Sequence, residues 1–86
     1  MVDLEKLDEG LNKLRGYDME EAEAAERAAG NTFVNLSLSK SFQARLAAKA
    51  LEMNVHDLRE LPIKEYDAAC QRVFLFFFGV GSTAKD

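Results

Sequence analysis

The residues of this chain equipped for chemistry are few, and their spacing points away from catalysis. His56 is the only histidine. No cysteine or second histidine stands at ligand spacing from it, so it reads as a turn or surface residue and not as a metal ligand. Cys70 is the only cysteine. It falls on the apolar stripe of a helix with no histidine nearby in sequence to activate it, and reads as a small buried hydrophobe. Asp18, Glu20, Glu21, Glu23 and Glu26 are spread around their helix and lack the spaced oxygen ligands of a calcium loop. They read as a solvated face, with the first-turn acids also favoured by the helix dipole. No glycine-rich phosphate loop occurs. The expectation is a protein that is not an enzyme, with no catalytic residues, no cofactor and no metal.

One stretch does carry a functional signal. Residues 73–78 read Val-Phe-Leu-Phe-Phe-Phe and are closed by Gly79. Elsewhere every helix keeps at least a polar strip, whereas here apolar residues occupy every side. Such a run is either the pin of the core or a docking surface for another apolar chain.

The elements that position this run follow from periodicity and punctuation. Leu4, Leu7, Leu11 and Leu14 lie on one helical stripe, with Asp3 as the expected N-cap and Gly16 as the stop. A second helix is expected from Asp18, as cap with Glu21 at the capping-box position, to Ala29, stopping at Gly30-Asn31. Its apolar face is only Met19, Ala22, Ala25 and Ala29, so weak docking is expected, and this element is the one expected to fray or move. Thr32–Leu36 reads as an extended connector, a strand only if another copy pairs with it. Ser39 is expected to cap a helix over Lys40–Met53 whose polar strip, Arg45, Lys49 and Glu52, is narrow. That helix should therefore sit centrally. Asn54, with Asp57 three residues on, should open a short helix carrying Val55, Leu58 and Leu61. Pro62 suits the first position of a last helix to Phe78, with Ile63, Tyr66, Cys70, Val73 and Phe77 as its core stripe. The fold expectation is all-α: one domain over residues 1–79, a compact bundle of four to five short helices, and a flexible tail over 80–86.

The totals narrow the class further. Eighty-six residues, 48% apolar and 30% charged, fit one small globular domain with a thin core. Residues 1–30 hold nine acids against four bases, a balance of −5 within an overall −4. No dense basic patch is present to neutralise nucleic-acid phosphates. A lone cysteine permits no internal disulfide and suits a reducing cytoplasm. The N-terminus lacks the order of a signal peptide, and the longest apolar run is far short of the ~20 residues that span a membrane. The expected location is cytoplasmic, with neither nucleic acid nor membrane as partner.

Around the last helix, Phe77 lies on the core stripe and Phe74 beside it. Leu75 falls almost opposite, in line with Lys64, Ala68 and Arg72, and Phe76 and Phe78 fall on the two flanks. A helix end that is apolar all round must be covered by something. Either the first helix or the connector folds over it, or Phe74, Leu75, Phe76 and Phe78 bind a second copy or a different apolar chain.

The chain resembles the small tail assembly chaperones of tailed bacteriophages, particularly Mu-like and other contractile-tail phages. The matching stretches are Leu-Asp-Glu-Gly-Leu-Asn-Lys-Leu-Arg-Gly-Tyr-Asp-Met-Glu-Glu-Ala-Glu (residues 7–23), Arg-Leu-Ala-Ala-Lys-Ala-Leu (45–51), Val-His-Asp-Leu-Arg-Glu-Leu-Pro-Ile-Lys-Glu-Tyr (55–66) and the run at 73–78. The resemblance implies a protein that binds the hydrophobic tape measure protein in the host cytoplasm, keeps it soluble during tail assembly, is absent from the mature virion, and self-associates in many relatives. Many relatives carry an extended segment before the leucine helix, and this chain starts almost at the helix. The competing class is a helix-turn-helix DNA-binding regulator over residues 43–60, with a turn at Asn54. Its recognition helix would offer His56, Asp57, Arg59 and Glu60, two of them acidic, and the usual turn glycine is absent.

Overall fold

The computed structural model describes residues 2–79, and the 80–86 segment expected to form a tail lies outside the described residues. Five α-helices and no strand are present among them: α1 (Leu4–Lys13), α2 (Gly16–Ala28), α3 (Lys40–Leu51), α4 (Val55–Arg59) and α5 (Ile63–Phe78). A 3-10 turn, Leu36–Leu38, joins the connector to α3.

Local chemistry sets the boundaries, in places differently from the expectation. The Asp3 carboxylate accepts from the Lys6 amide at 3.1 Å and caps α1 as expected. Gly16 is not the stop of α1. The helix ends at Lys13, Leu14 turns extended, and Gly16 begins α2. Asp18 therefore sits in the first turn of α2 and not at its cap, where its carboxylate accepts from the Arg15 amide at 2.9 Å and satisfies a donor the helix leaves open. Gly30, at φ 94°, supplies the left-handed backbone that ends α2. The Asn35 carboxamide accepts from the Ser37 amide at 3.0 Å and folds the end of the connector into the 3-10 turn.

Ser39 caps α3 by accepting from the Phe42 amide, and the helix stops at Leu51, two residues early, because Glu52 adopts φ 58°. Asn54 accepts from the His56 amide at 2.7 Å and opens α4. Pro62 stands one place before α5, as its cap residue rather than its first helical one.

α3 is the axis of the bundle and touches α1, α2, α4 and α5. Its alanines make this possible: Ala44, Ala47, Ala48 and Ala50 are all buried, and small side chains let neighbours approach on several sides. Around it Leu7, Leu11, Phe42, Leu46, Leu58, Ala69, Cys70 and Val73 form one continuous core. The expected stripe of α5 holds except at its start. Ile63 is 80% exposed, because it opens the helix beyond the reach of α3, and Ala69 takes a core place the stripe did not include.

Cys70 is fully buried, with its thiol 3.6 Å from the Lys40 carbonyl. Burial pushes the thiol above its ordinary value, outweighing the hydrogen bond with Tyr66 that lowers it. A buried, protonated thiol is a poor nucleophile. In the native protein at pH 8 Cys70 is expected to react with a disulfide reagent at least a hundredfold more slowly than in urea, a contrast read directly from thiol-release kinetics.

Candidate docking surface

The C-terminal two turns of α5 gather the exposed apolar side chains that sequence singled out. At about 100° per residue, Phe77 points inward, Phe74 and Phe78 fall on one flank, Phe76 on the other, and Leu75 outward. The exposures follow this geometry: 37% for Phe74, 39% for Leu75, and 43% each for Phe76 and Phe78. Neither α1 nor the connector closes over them. Phe77 is the hinge between surface and core, 6.4 Å from the ring of Phe42 and 5.7 Å, edge on, from that of Phe76. Phe74 and Phe78, one turn apart, pack ring against ring at 4.7 Å with their planes tilted by 38°. The outer rings are thus held by neighbouring rings, so covering them orders side chains already half ordered.

Sequence reading missed a second group of exposed apolar residues. The 3-10 turn packs against α5, and Leu38, its last residue, is 51% exposed. The connector beside it leaves Phe33 and Val34 exposed as well. It is nevertheless fixed: the Arg27 guanidinium donates to the carbonyls of Asn31 and Phe33 at 3.0 and 2.7 Å. The signal that could have found it is the number of apolar residues, Phe33, Val34, Leu36 and Leu38, in a short connector between two helix punctuators.

The charges that α5 itself brings near this surface are paired within the chain. Between Asp67 and Phe78 the charged residues of α5 are Asp67 and Arg72. Asp67 takes the Lys40 ammonium at 2.6 Å, and Arg72 donates to Asp8 of α1 at 2.9 Å.

The largest departure from the sequence reading lies at Glu26, assigned above to a solvated face. It is 1% exposed. Its carboxylate accepts from Asn31 at 2.8 Å, from Ser41 at 3.0 Å and from the Arg45 guanidinium, and Arg59 stands 3.9 Å away. Burial alone would push this carboxyl up. The hydrogen bonds from Asn31, Arg45 and Ser41, with the Arg45 charge, outweigh that and hold it below its ordinary 4.5. Asn31 also donates to Ser39, the cap of α3, and Arg59 donates to Ser41. One carboxylate therefore ties α2, the connector, α3 and α4 together. The expected weak attachment of α2 is corrected accordingly: its alanine face buries little area, and a polar node replaces apolar contact. Lys49 adds to it with contacts to Glu21 at 2.6 Å and Asp18 at 3.6 Å.

The helix-turn-helix geometry is thin. α4 has five residues, about 7.5 Å of helix, and Arg59 turns inward to Ser41 and Glu26. Among the described residues no cluster of histidine, cysteine or acid is placed to hold a metal ion, and no helix is long and apolar enough to cross a membrane. Compared with known proteins, the chain matches no family model, no curated protein and no solved structure.

Proposed function

We propose that this chain is a tail assembly chaperone of the tailed-phage type, without catalytic activity, that docks an apolar tape measure protein on the C-terminal end of α5 and keeps it soluble. The observation that carries the reading is the apolar surface of Phe74, Leu75, Phe76 and Phe78, exposed on three sides of one helix end. A patch of this extent is about the largest apolar patch a monomer exposes, and such a patch is often the functional one. Covering the exposed portion of each phenylalanine is worth about 1 kcal/mol, enough in combination to hold a client without locking it. The acidic first thirty residues give a loaded complex the net charge that keeps it dispersed.

The resemblance of residues 7–78 to the phage chaperones supplies the identity of the client, and the host cytoplasm as the place of action. DNA binding finds no support in a five-residue α4 whose arginine is engaged internally.

The test is co-expression with the tape measure protein of the same genome. The wild-type chain is expected to bring the client into the soluble fraction, and Phe76→Asp to lose at least nine tenths of that effect while its helical circular dichroism is unchanged. Equal solubilisation by the variant would overturn the assignment of the site, and a variant that unfolds would make the run part of the core instead.

A further inference from the structure

The connector between α2 and the 3-10 turn bonds its backbone inward at every second residue. The Asn31 amide donates to the Glu26 carbonyl at 2.9 Å, and the Phe33 amide donates to the Asn31 carboxamide oxygen at 3.0 Å. The carbonyls of both residues accept from the Arg27 guanidinium. Thr32 and Val34 make no backbone hydrogen bond to any described residue. Both are exposed, Val34 to 98%. Inward bonding at one residue and the next but one, with the alternate residues left to water, is the pattern of an edge strand. The residue types agree, since Thr, Phe and Val favour extended backbone.

Edges are ordinarily blunted by a lysine, a proline, a bulge or a covering element. Residues 28–39 hold no charge and no proline, and the exposure of Val34 shows that no helix covers it. The charges around the segment come from α2 and α3. Arg27 is held by the two carbonyls, Glu26 lies in the buried node, and Lys40 pairs with Asp67. Glu20 and Glu23 line the groove that Val34 borders. They repel an acidic neighbour mildly, and salt screens that repulsion.

A second copy fits this edge because the open groups are self-complementary. In an antiparallel pair centred on Phe33, Thr32 of one copy stands opposite Val34 of the other, and each such pair exchanges two hydrogen bonds. Every open amide and carbonyl of the two residues is then used in both copies. Phe33 meets its own counterpart at the non-bonded position, where side chains come closest. A slip of one residue would turn inward-bonded groups towards the partner, and a slip of two leaves half the open groups unused.

We infer that residues 32–34 pair with the same segment of a second copy, antiparallel about Phe33, in a short ladder between two helical bundles. Three residues a side bury far less than the ~800 Å² each partner contributes to a stable interface. The association is therefore transient, with a Kd on the order of 10⁻⁴ M. It leaves the α5 end open, so it stands or falls separately from the client site.

The experiment follows the full chain from 20 μM to 1 mM by sedimentation and by amide 1H–15N spectra. The average mass is expected to rise towards that of a dimer, without loosening between 50 and 500 mM NaCl. Amide shifts with concentration should be largest at Thr32 and Val34, whose amides gain a bond, and smaller at Phe33, whose amide keeps its bond to Asn31. Val34→Pro removes a donor that no described residue uses, and should weaken association at least tenfold with unchanged circular dichroism. Val34→Ala keeps the donor and should stay within threefold. A monomer at 1 mM overturns the inference. So does a dimer that Val34→Pro leaves intact, or that Val34→Ala weakens as much. Shifts centred on residues 73–78, with dissociation by Phe76→Asp, would make the apolar helix end the self-contact instead, and weakening in salt would make the contact an ionic one. Should Val34→Pro lose helicity, the amide pattern of the unsubstituted chain decides alone.

Discussion

Gly10→Ala is expected to destabilise the fold by about 3 kcal/mol, the upper part of the range for overfilling a packed interface. In an isolated helix the same change stabilises by about 1 kcal/mol, because alanine is the better helix former. The sign inverts here because α1 and α3 meet backbone to backbone. A Cβ at position 10 would lie 2.1 Å from the Ala50 carbonyl oxygen, 2.7 Å from its carbon and 2.9 Å from its Cα. No flexible side chain can yield, so the two helices must separate, which unseats Leu7 and Leu11, the two buried leucines of α1. Gly16→Ala is the control. Nothing lies within 4 Å of a Cβ there, and the change should be neutral or slightly stabilising. Urea midpoints of the three proteins check both statements.

Arg45→Met is the second large effect, also about 3 kcal/mol, at the lower edge of what removing one member of a buried ion pair costs. The Glu26 side chain is 2% exposed, whereas those of Arg45 and Arg59 are 23% and 31% exposed. Removing Arg45 leaves a carboxylate that cannot reach water with only the hydrogen bonds of Asn31 and Ser41 and the more distant Arg59 to compensate it. Glu26→Gln strands two arginines that can, and keeps hydrogen-bonding capacity toward Asn31 and Ser41, so it should cost about half as much. The asymmetry distinguishes this node from a surface ion pair, where either change is worth about 1 kcal/mol or less. It also has a pH signature. The Glu26 carboxyl is held below 4.5 in the folded chain. Its contribution is therefore present in full above that value and is lost as the pH falls through the depressed folded one. The thermal midpoint of the native chain should decline below pH 4.5, and Glu26→Gln should decline less. Equal decline would mean that other carboxylates, such as Asp67 paired with Lys40, carry the acid sensitivity.

The two effects differ in how far sequence could anticipate them. Gly10 sits in the middle of a leucine-striped helix, and nothing local explains it. Its reason is a carbonyl forty residues away. Glu26 looks like one acid among several in Glu-Glu-Ala-Glu-Ala-Ala-Glu, and periodicity alone put it in water. Its partners Asn31, Ser41, Arg45 and Arg59 lie on three other segments, so the node exists only once those segments are assembled. Gly16 and Asp18 were misplaced for a smaller reason. A glycine between two helical stretches serves as a stop or a start equally well, and an Asp can cap from the cap position or from three residues inside.

The apolar end of α5 was legible further. The sequence of residues 73–78 places apolar side chains on every side of a helix, and angular arithmetic alone ordered them around its axis. Whether the first helix or the connector folds over them could not be read from the order of residues. That depends on where α1 and the 3-10 turn pass.

What the sequence by itself determined is therefore the local and periodic part: four to five helices with most of their caps, an alanine-rich central helix, and a phenylalanine-rich terminal turn. Those properties arise from neighbours within a few residues, through backbone hydrogen bonding, capping and the 3.6-residue repeat. Tertiary structure alone decided which glycine is a point of contact, which acid is buried, and which flanks of α5 stay open. Each of these depends on distances between segments far apart in the chain, and short-range patterns carry no record of them.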